Sequence, residues 1–293
     1  MLVDESIQTG NIYSDDQNQR QKLSSRNLRI FASYAECLRG LDQFYGQAKR
    51  QILQYQSPTT GLFPSMSNDE IEASIRDSIY CSMAIWSLYQ AYIRRVDDSH
   101  GKAYELGQSV VKCMRGILFS WMRHSREKLE VFKTNQSPRA ALPSKVNLTT
   151  SLPLENDDKN GRHLQLDIVS LYLLFMVQMI NSGLQIIYTM DEVHFIQNLV
   201  YYIERSYRTP DYGMWEHGSL FSPETPEVHA SSIGMAKSAL ESINGVNLFG
   251  EKGAAWSVIH VDIDAHSRNR RTFETLLPRE SISKNTDASK IIQ

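Results

Sequence analysis

Three short polar clusters in the sequence contain residue types that bind and cleave sugars. The clusters are Arg76-Asp77, the segment 163–167 and Trp215-Glu216-His217. A guanidinium donates and a carboxylate accepts hydrogen bonds in fixed geometry, so Arg76 and Asp77 suit the hydroxyl groups of a sugar. Trp215 offers an aromatic platform for a pyranose ring, and a desolvated Glu216 is able to protonate a glycosidic oxygen. One interpretation of the pattern is therefore a carbohydrate site.

Each cluster also has a purely structural interpretation. Arg76-Asp77 fits a helix start that makes a surface or capping contact, and Gln165 and Asp167 of the middle cluster are open to the same two interpretations. Trp215 fits a core position, with its acidic neighbour in solvent. The residue types alone leave both interpretations open.

Composition excludes several other classes of function. The chain has 293 residues, 41% of them hydrophobic and 22% charged, which is typical of a globular protein. A net charge of -2 gives no electrostatic reason to expect nucleic acid or an anionic membrane as a partner. The histidines lack metal-ligand spacing, and there is no phosphate loop or kinase signature. We therefore expect no metal, no cofactor and no protein kinase activity in this chain.

The elements that must position the clusters are helices, because apolar residues recur every three or four positions. This periodicity predicts helices over about 38–55, 75–95, 102–124, 166–181, 191–207 and 230–243, and a last one over about 268–277. We expect a long loop at 136–160 and a short strand at 256–263. The stretch 110–128 is basic and amphipathic like a calmodulin target, although an outer helix of a helical fold has the same pattern.

The second and fourth helices are more apolar than their neighbours, which favours antiparallel pairs with one inner and one outer member. The predicted class is all-α, as a stack of hairpins or an α/α barrel. Inner helices of a barrel begin at the same rim, so the three clusters would converge there, although about 140 residues separate the first from the last. We expect a mobile tail at 1–36, with Ser24 and Ser25 as phosphorylation candidates, a helical domain at 37–280 and a polar tail at 281–293.

Six segments of the sequence resemble the regulatory subunits of phosphorylase kinase, and the beta type more than the alpha type. They are YQSPTTGLFP at 55–64, KCMRGIL at 112–118, GLQIIY at 183–188, DEVHFIQNLV at 191–200, SVIHVDIDAH at 257–266 and LPRES at 277–281. The resemblance implies a glucoamylase-like (α/α)6 barrel at the start of a much longer subunit, with about half of the barrel in this chain. Residues 289–293 do not fit the family, so we expect a truncated or alternatively spliced product.

Similarity to glucoamylases implies a role for each cluster. Arg76-Asp77 falls where the nonreducing glucose is held, Gln165 and Asp167 fall on the next rim loop, and Glu216 falls at the general acid. His217 replaces the second acid of many glucoamylases. The general base of these enzymes belongs to a later hairpin, so we expect Glu216 to be vestigial. The alternative is a working glucan hydrolase that uses Glu216 as its general acid.

The resemblance also implies partners and a location. These are the alpha, gamma and delta (calmodulin) subunits of phosphorylase kinase, with an oligosaccharide as a further ligand for the domain. The implied function is to regulate the phosphorylation of glycogen phosphorylase. The implied location is the cytoplasm, with contact to the plasma membrane only through prenylated parts of the complex, because Gln293 is not part of a prenylation motif.

Overall fold

A computed structural model describes residues 34–67, 71–95, 100–154, 163–216, 225–250 and 253–281. The predicted tails lie almost wholly outside these ranges, as do Ser24, Ser25 and His217. The first described helix begins at Tyr34, three residues before the predicted start of the domain. The domain boundaries therefore stay predictions.

The described residues form eight α-helices and one small sheet. The helices are α1 (Tyr34–Gln51), α2 (Ile75–Arg95), α3 (His100–His124), α4 (Arg126–Thr134), α5 (Leu166–Asn181), α6 (Met190–Ile203), α7 (Ala230–Ile243) and α8 (Ile263–Leu276). The strands β1 (Glu72–Ser74) and β2 (Lys145–Asn147) pair antiparallel, with Glu72 opposite Asn147. The bounds predicted for α5 and α7 are confirmed. Both helices lie in the core with many buried residues, so tertiary contacts reinforce the local preference.

The helices form two layers. α2, α5 and α7 lie side by side in an inner row, and α3, α6 and α8 pack outside it as the second members of hairpins. The inner helix α5 is buried along most of its length. This arrangement explains why the second and fourth predicted helices are the more apolar ones.

The outer helix α3 is joined firmly to this core. Val110, Met114, Leu118 and Trp121 have no exposed surface. The Trp121 ring meets Tyr172 of α5 edge-on, with 5.3 Å between ring centroids, and its Nε1 donates to the carbonyl oxygen of Pro143 at 3.1 Å. The apolar face of the stretch that resembles a calmodulin target is therefore part of the core, as the outer-helix interpretation predicts.

One prediction about the irregular regions is wrong, and another is incomplete. The expected strand at 256–263 is a short 3-10 turn, Ala255–Ser257, followed by extended chain, and α8 begins earlier than predicted. The Asp262 side chain sets that start by accepting the N–H of Asp264 at 2.9 Å. The expected loop at 136–160 contains β2, whose partner β1 is more than 70 residues earlier, so local sequence does not reveal the pairing.

In the ranges that the structure describes, no helix combines the length and hydropathy needed to cross a membrane.

Candidate functional site

The inner helices α2 and α5 begin side by side because both are tied to Ser144. Its carbonyl oxygen accepts the N–H of Ile75, the first residue of α2, at 2.9 Å. Its own N–H donates to Nδ1 of His163, just before α5, at 3.1 Å. Antiparallel pairing of the adjoining strand β2 with β1 fixes the same end of α2. The first and second polar clusters therefore meet at one rim.

Arg76 joins these two clusters directly. Its guanidinium donates to Oε1 of Gln165 at 2.7 Å and to both carboxylate oxygens of Asp167, with 3.2 Å between Nη2 and Oδ1. Only 13% of the Arg76 side chain and 6% of the Asp167 side chain are exposed. Burial opposes the charge on Arg76, but the hydrogen bonds and charge of Asp167 outweigh it and raise the pKa of the guanidinium. The pair is a buried, bidentate ion pair.

This ion pair leaves part of the guanidinium unused. Nε of Arg76 is buried and has no hydrogen-bond partner within the described ranges. A buried N–H without a partner costs free energy, and a ligand oxygen or a water molecule at the rim removes that cost. Arg76 is therefore a structural group that retains one unsatisfied buried donor.

Asp77 behaves differently from its neighbour. Its backbone N–H donates to the side-chain oxygen of Ser74 at 3.2 Å, which caps the first turn of α2. Its side chain is exposed, and the carboxylate is accessible at the helix start. The dipeptide thus combines the capping role with one accessible acid, while the partner of Arg76 is Asp167, 91 residues away.

The third cluster lies on a tight turn after α6. The Glu216 N–H donates to the carbonyl oxygen of Gly213 at 3.2 Å, and both residues have left-handed backbone conformations, with φ of 57° and 63°. Such a conformation is uncommon for a residue with a side chain and is found often at functional sites. Trp215 is 56% exposed, so the alternative of a core tryptophan is wrong. The charge of Glu216 contributes to the raised pKa of Arg76, which places the third cluster within electrostatic range of the other two.

Sequence reasoning missed Asp211, which lies beneath this turn and is fully buried. Its Oδ2 accepts the N–H of Leu166, the first residue of α5, at 3.0 Å, and its Oδ1 accepts the N–H of Gly213 at 3.2 Å. Burial, and then the nearby charge of Asp167, raise the pKa of Asp211 to about 8. An aspartate two residues before a glycine is a typical turn signal, but it does not reveal the bond to α5.

Taken together, the rim offers hydrogen-bond donors, accessible acids and an aromatic ring, which are the groups that hold a sugar. Arg76, Gln165 and Asp167 are in direct contact, as the convergence of the inner helices predicts. Trp215 and Glu216 lie close by, and Asp77 is the accessible acid at the start of α2. The assignment of these residues to carbohydrate binding stays a prediction.

The helical architecture and the rim agree with the class of protein that the sequence matches. Residues 39–284 match the profile of the glycosyl hydrolases family 15. The chain therefore belongs to this family, and the predicted all-α, glucoamylase-like fold is confirmed.

Within that class, the similar proteins are kinase subunits. The chain is 60% identical, over 97% of its length, to a protein of Drosophila melanogaster named probable phosphorylase b kinase regulatory subunit beta. It is 49% identical over 85% of its length to the probable alpha subunit of the same organism, and 47% identical over 85% to the skeletal muscle alpha subunit of Oryctolagus cuniculus. The predicted resemblance is confirmed. The chain spans 26% of the beta relative and 20% of each alpha relative.

Proposed function

We propose that this chain is a regulatory module of the beta type in a phosphorylase kinase complex. Identity of 60% over 97% of the chain to a protein with that name carries the proposal. In this role the domain modulates the phosphorylation of glycogen phosphorylase through contacts with the alpha, gamma and delta (calmodulin) subunits. The complex acts in the cytoplasm and reaches the plasma membrane only through its other parts.

Within the module, we assign no calmodulin site to α3. A calmodulin target must present its apolar face, and Val110, Met114 and Trp121 of this helix are buried in the core. Contact with calmodulin belongs instead to other surfaces of the complex.

The test of this proposal is assembly. The chain is co-expressed with a tagged phosphorylase kinase catalytic subunit, and association is measured by pull-down and size-exclusion chromatography. We expect stable co-elution. A chain that elutes alone while the catalytic subunit is folded and active contradicts the proposal.

A second part of the proposal concerns the rim, which we assign to oligosaccharide binding. Arg76 supplies an unused buried donor, Asp77 an accessible acid and Trp215 an exposed ring. Gln165 and Asp167 hold the guanidinium in place. Glu216 occupies the position of a general acid by resemblance and is vestigial.

Two exposed tryptophans provide a matched test of oligosaccharide binding. Trp215 and Trp256 are 56% and 60% exposed, but Trp256 belongs to the turn before α8 and packs edge-on to Phe249. We expect Trp215→Ala to weaken maltoheptaose binding in isothermal titration calorimetry about 5-fold or more, because one stacked aromatic ring contributes roughly 1–3 kcal/mol. Trp256→Ala should leave it unchanged. Equal effects of both variants, or no binding by the native chain, refute the assignment.

Membership of family 15 favours one alternative, a working glucan hydrolase with Glu216 as general acid and Arg76 and Asp77 as sugar clamps. An inverting mechanism needs a second, ionised carboxylate that activates water. Asp167 is bound by Arg76, and Asp211 accepts two backbone N–H groups, so neither is free to act as that base. Release of glucose from maltooligosaccharides, abolished by Glu216→Gln, would establish the hydrolase instead.

A further inference from the structure

Within the described residues, Gly213 links the turn that carries Trp215 and Glu216 to the start of α5. Its N–H donates to the Asp211 carboxylate at 3.2 Å, and its carbonyl oxygen accepts the Glu216 N–H at 3.2 Å. Any movement of Gly213 therefore moves the exposed ring and the acid that follow it.

Asp211 fixes Gly213 relative to the first turn of α5. Its second carboxylate oxygen accepts the N–H of Leu166 at 3.0 Å, directly before Asp167. The same side chain thus binds one backbone donor on the helix that contributes Asp167 and one on the turn that contributes Glu216. A carboxyl group has two oxygens in fixed geometry, and each is able to accept a backbone N–H in either protonation state, so the side chain is suited to this bridging; its burial excludes competing water.

The backbone around Asp211 is held independently of its side chain. Asp211 and Glu227 exchange backbone hydrogen bonds of 2.7 and 3.0 Å, and the N–H of Tyr212 donates to Leu164 at 2.9 Å. These bonds end at Tyr212. Beyond Tyr212, the described hydrogen bond from the Gly213 N–H to the Asp211 side chain ties the turn to the inner helices.

The backbone conformation of Gly213 and its close contact with His229 leave no room for a side chain at this position. Its φ is 63°, and a Cβ at this position would come within 3.0 Å of the His229 ring. The turn is therefore restrained on one side by His229 and on the other by Asp211.

We propose that Asp211 is a positioning residue, which holds Trp215 and Glu216 beside the Arg76–Asp167 pair. Its consequence for ligand affinity rests on the proposed oligosaccharide site. The effect of Asp211 on the turn is independent of that site, because its hydrogen bonds to Leu166 and Gly213 form in the protein without a ligand.

Fluorine NMR of the chain labelled with 5-fluorotryptophan tests the proposal without a ligand. The sequence has four tryptophans, so four resonances are expected, and Trp215→Phe identifies the one from the turn. Asp211→Ala removes both acceptors, while Asp211→Asn keeps one. We expect the Trp215 resonance to shift or broaden in Asp211→Ala and to be partly restored in Asp211→Asn, with the core resonance of Trp121 unchanged.

The matched control is Asp262→Ala, which removes another aspartate that accepts a backbone N–H, at the start of α8. It should leave the Trp215 resonance in place. An unchanged Trp215 resonance in Asp211→Ala overturns the proposal. If that variant fails to fold, Asp211→Leu decides, because it fills a similar volume without any acceptor, and an unchanged Trp215 resonance there also overturns the proposal.

Maltoheptaose titrations separate this inference from the proposed function. If the native chain binds the sugar, Asp211→Ala should weaken the affinity about 10-fold or more, and Asp211→Asn less. If the native chain does not bind it, the oligosaccharide assignment fails, and the NMR result still decides the role of Asp211.

Discussion

Replacement of Arg76 by methionine is the sharpest test of the charge arrangement at the rim. The change keeps most of the apolar stem but leaves the buried carboxylate of Asp167 without its bidentate partner. Breaking a buried ion pair from one side costs about 3–5 kcal/mol, because the remaining charge is desolvated and unpaired. The neighbouring Asp211 is also an acid, so it supplies no positive charge to replace the lost guanidinium. A loss of about 3 kcal/mol lowers the folding equilibrium constant roughly 150-fold.

The assay is urea unfolding at pH 7, fitted with a common dependence on urea concentration. Arg76→Met is compared with Asp167→Asn and with the double variant. Because the double variant removes both charges, it should recover much of the loss, with a coupling energy of about 1–3 kcal/mol. The control is Lys237→Met, which breaks an exposed pair with Glu241 one helical turn away and should cost no more than about 0.5 kcal/mol.

Two results would refute this reasoning. A cost of Arg76→Met similar to that of the surface control would mean that the guanidinium does not stabilise the fold. Additive losses in Arg76→Met and Asp167→Asn would mean that the two side chains do not depend on each other in solution.

Three further predictions concern pH, packing and capping. The pKa of Asp211 is raised from 3.8 to about 8, so the folded chain retains a proton that the unfolded chain releases, and stability should fall as the pH rises between these values, by at most roughly 1.4 kcal/mol per pH unit. Urea midpoints at pH 5 and pH 8 should therefore differ less in Asp211→Asn than in the native chain. Gly116→Ala in α3 should destabilise the protein by about 1–3 kcal/mol or more, because its Cβ clashes with a packed backbone carbonyl oxygen, whereas Gly101→Ala in the same helix meets open space and should be neutral or stabilising in thermal unfolding. Thr189→Ala should cost about 1 kcal/mol by loss of the capping box of α6, while Ser125→Ala should cost less, since that N-cap side chain makes no capping bond; circular dichroism during urea unfolding distinguishes the two.

The sequence predicted much of the helical scaffold because helix periodicity is a local property. α5 and α7 have the predicted bounds, and α3 begins two residues before its predicted start. In contrast, α4 was not predicted, since only Leu129 and Phe132 of its nine residues are buried and its apolar pattern is short. The prediction of a strand at 256–263 is wrong, since alternation over so few residues does not distinguish a strand from extended chain.

The sequence by itself determined the family, the layered helices and the residue types at the rim, because these depend on local patterns and on segments that match as strings. Only the tertiary structure decided that Arg76 pairs with Asp167 instead of its neighbour Asp77, and that Asp211 joins α5 to the turn of Glu216. The reason is physical. A buried charge takes the partner that packing brings within hydrogen-bond distance, and packing joins segments that are far apart in the chain.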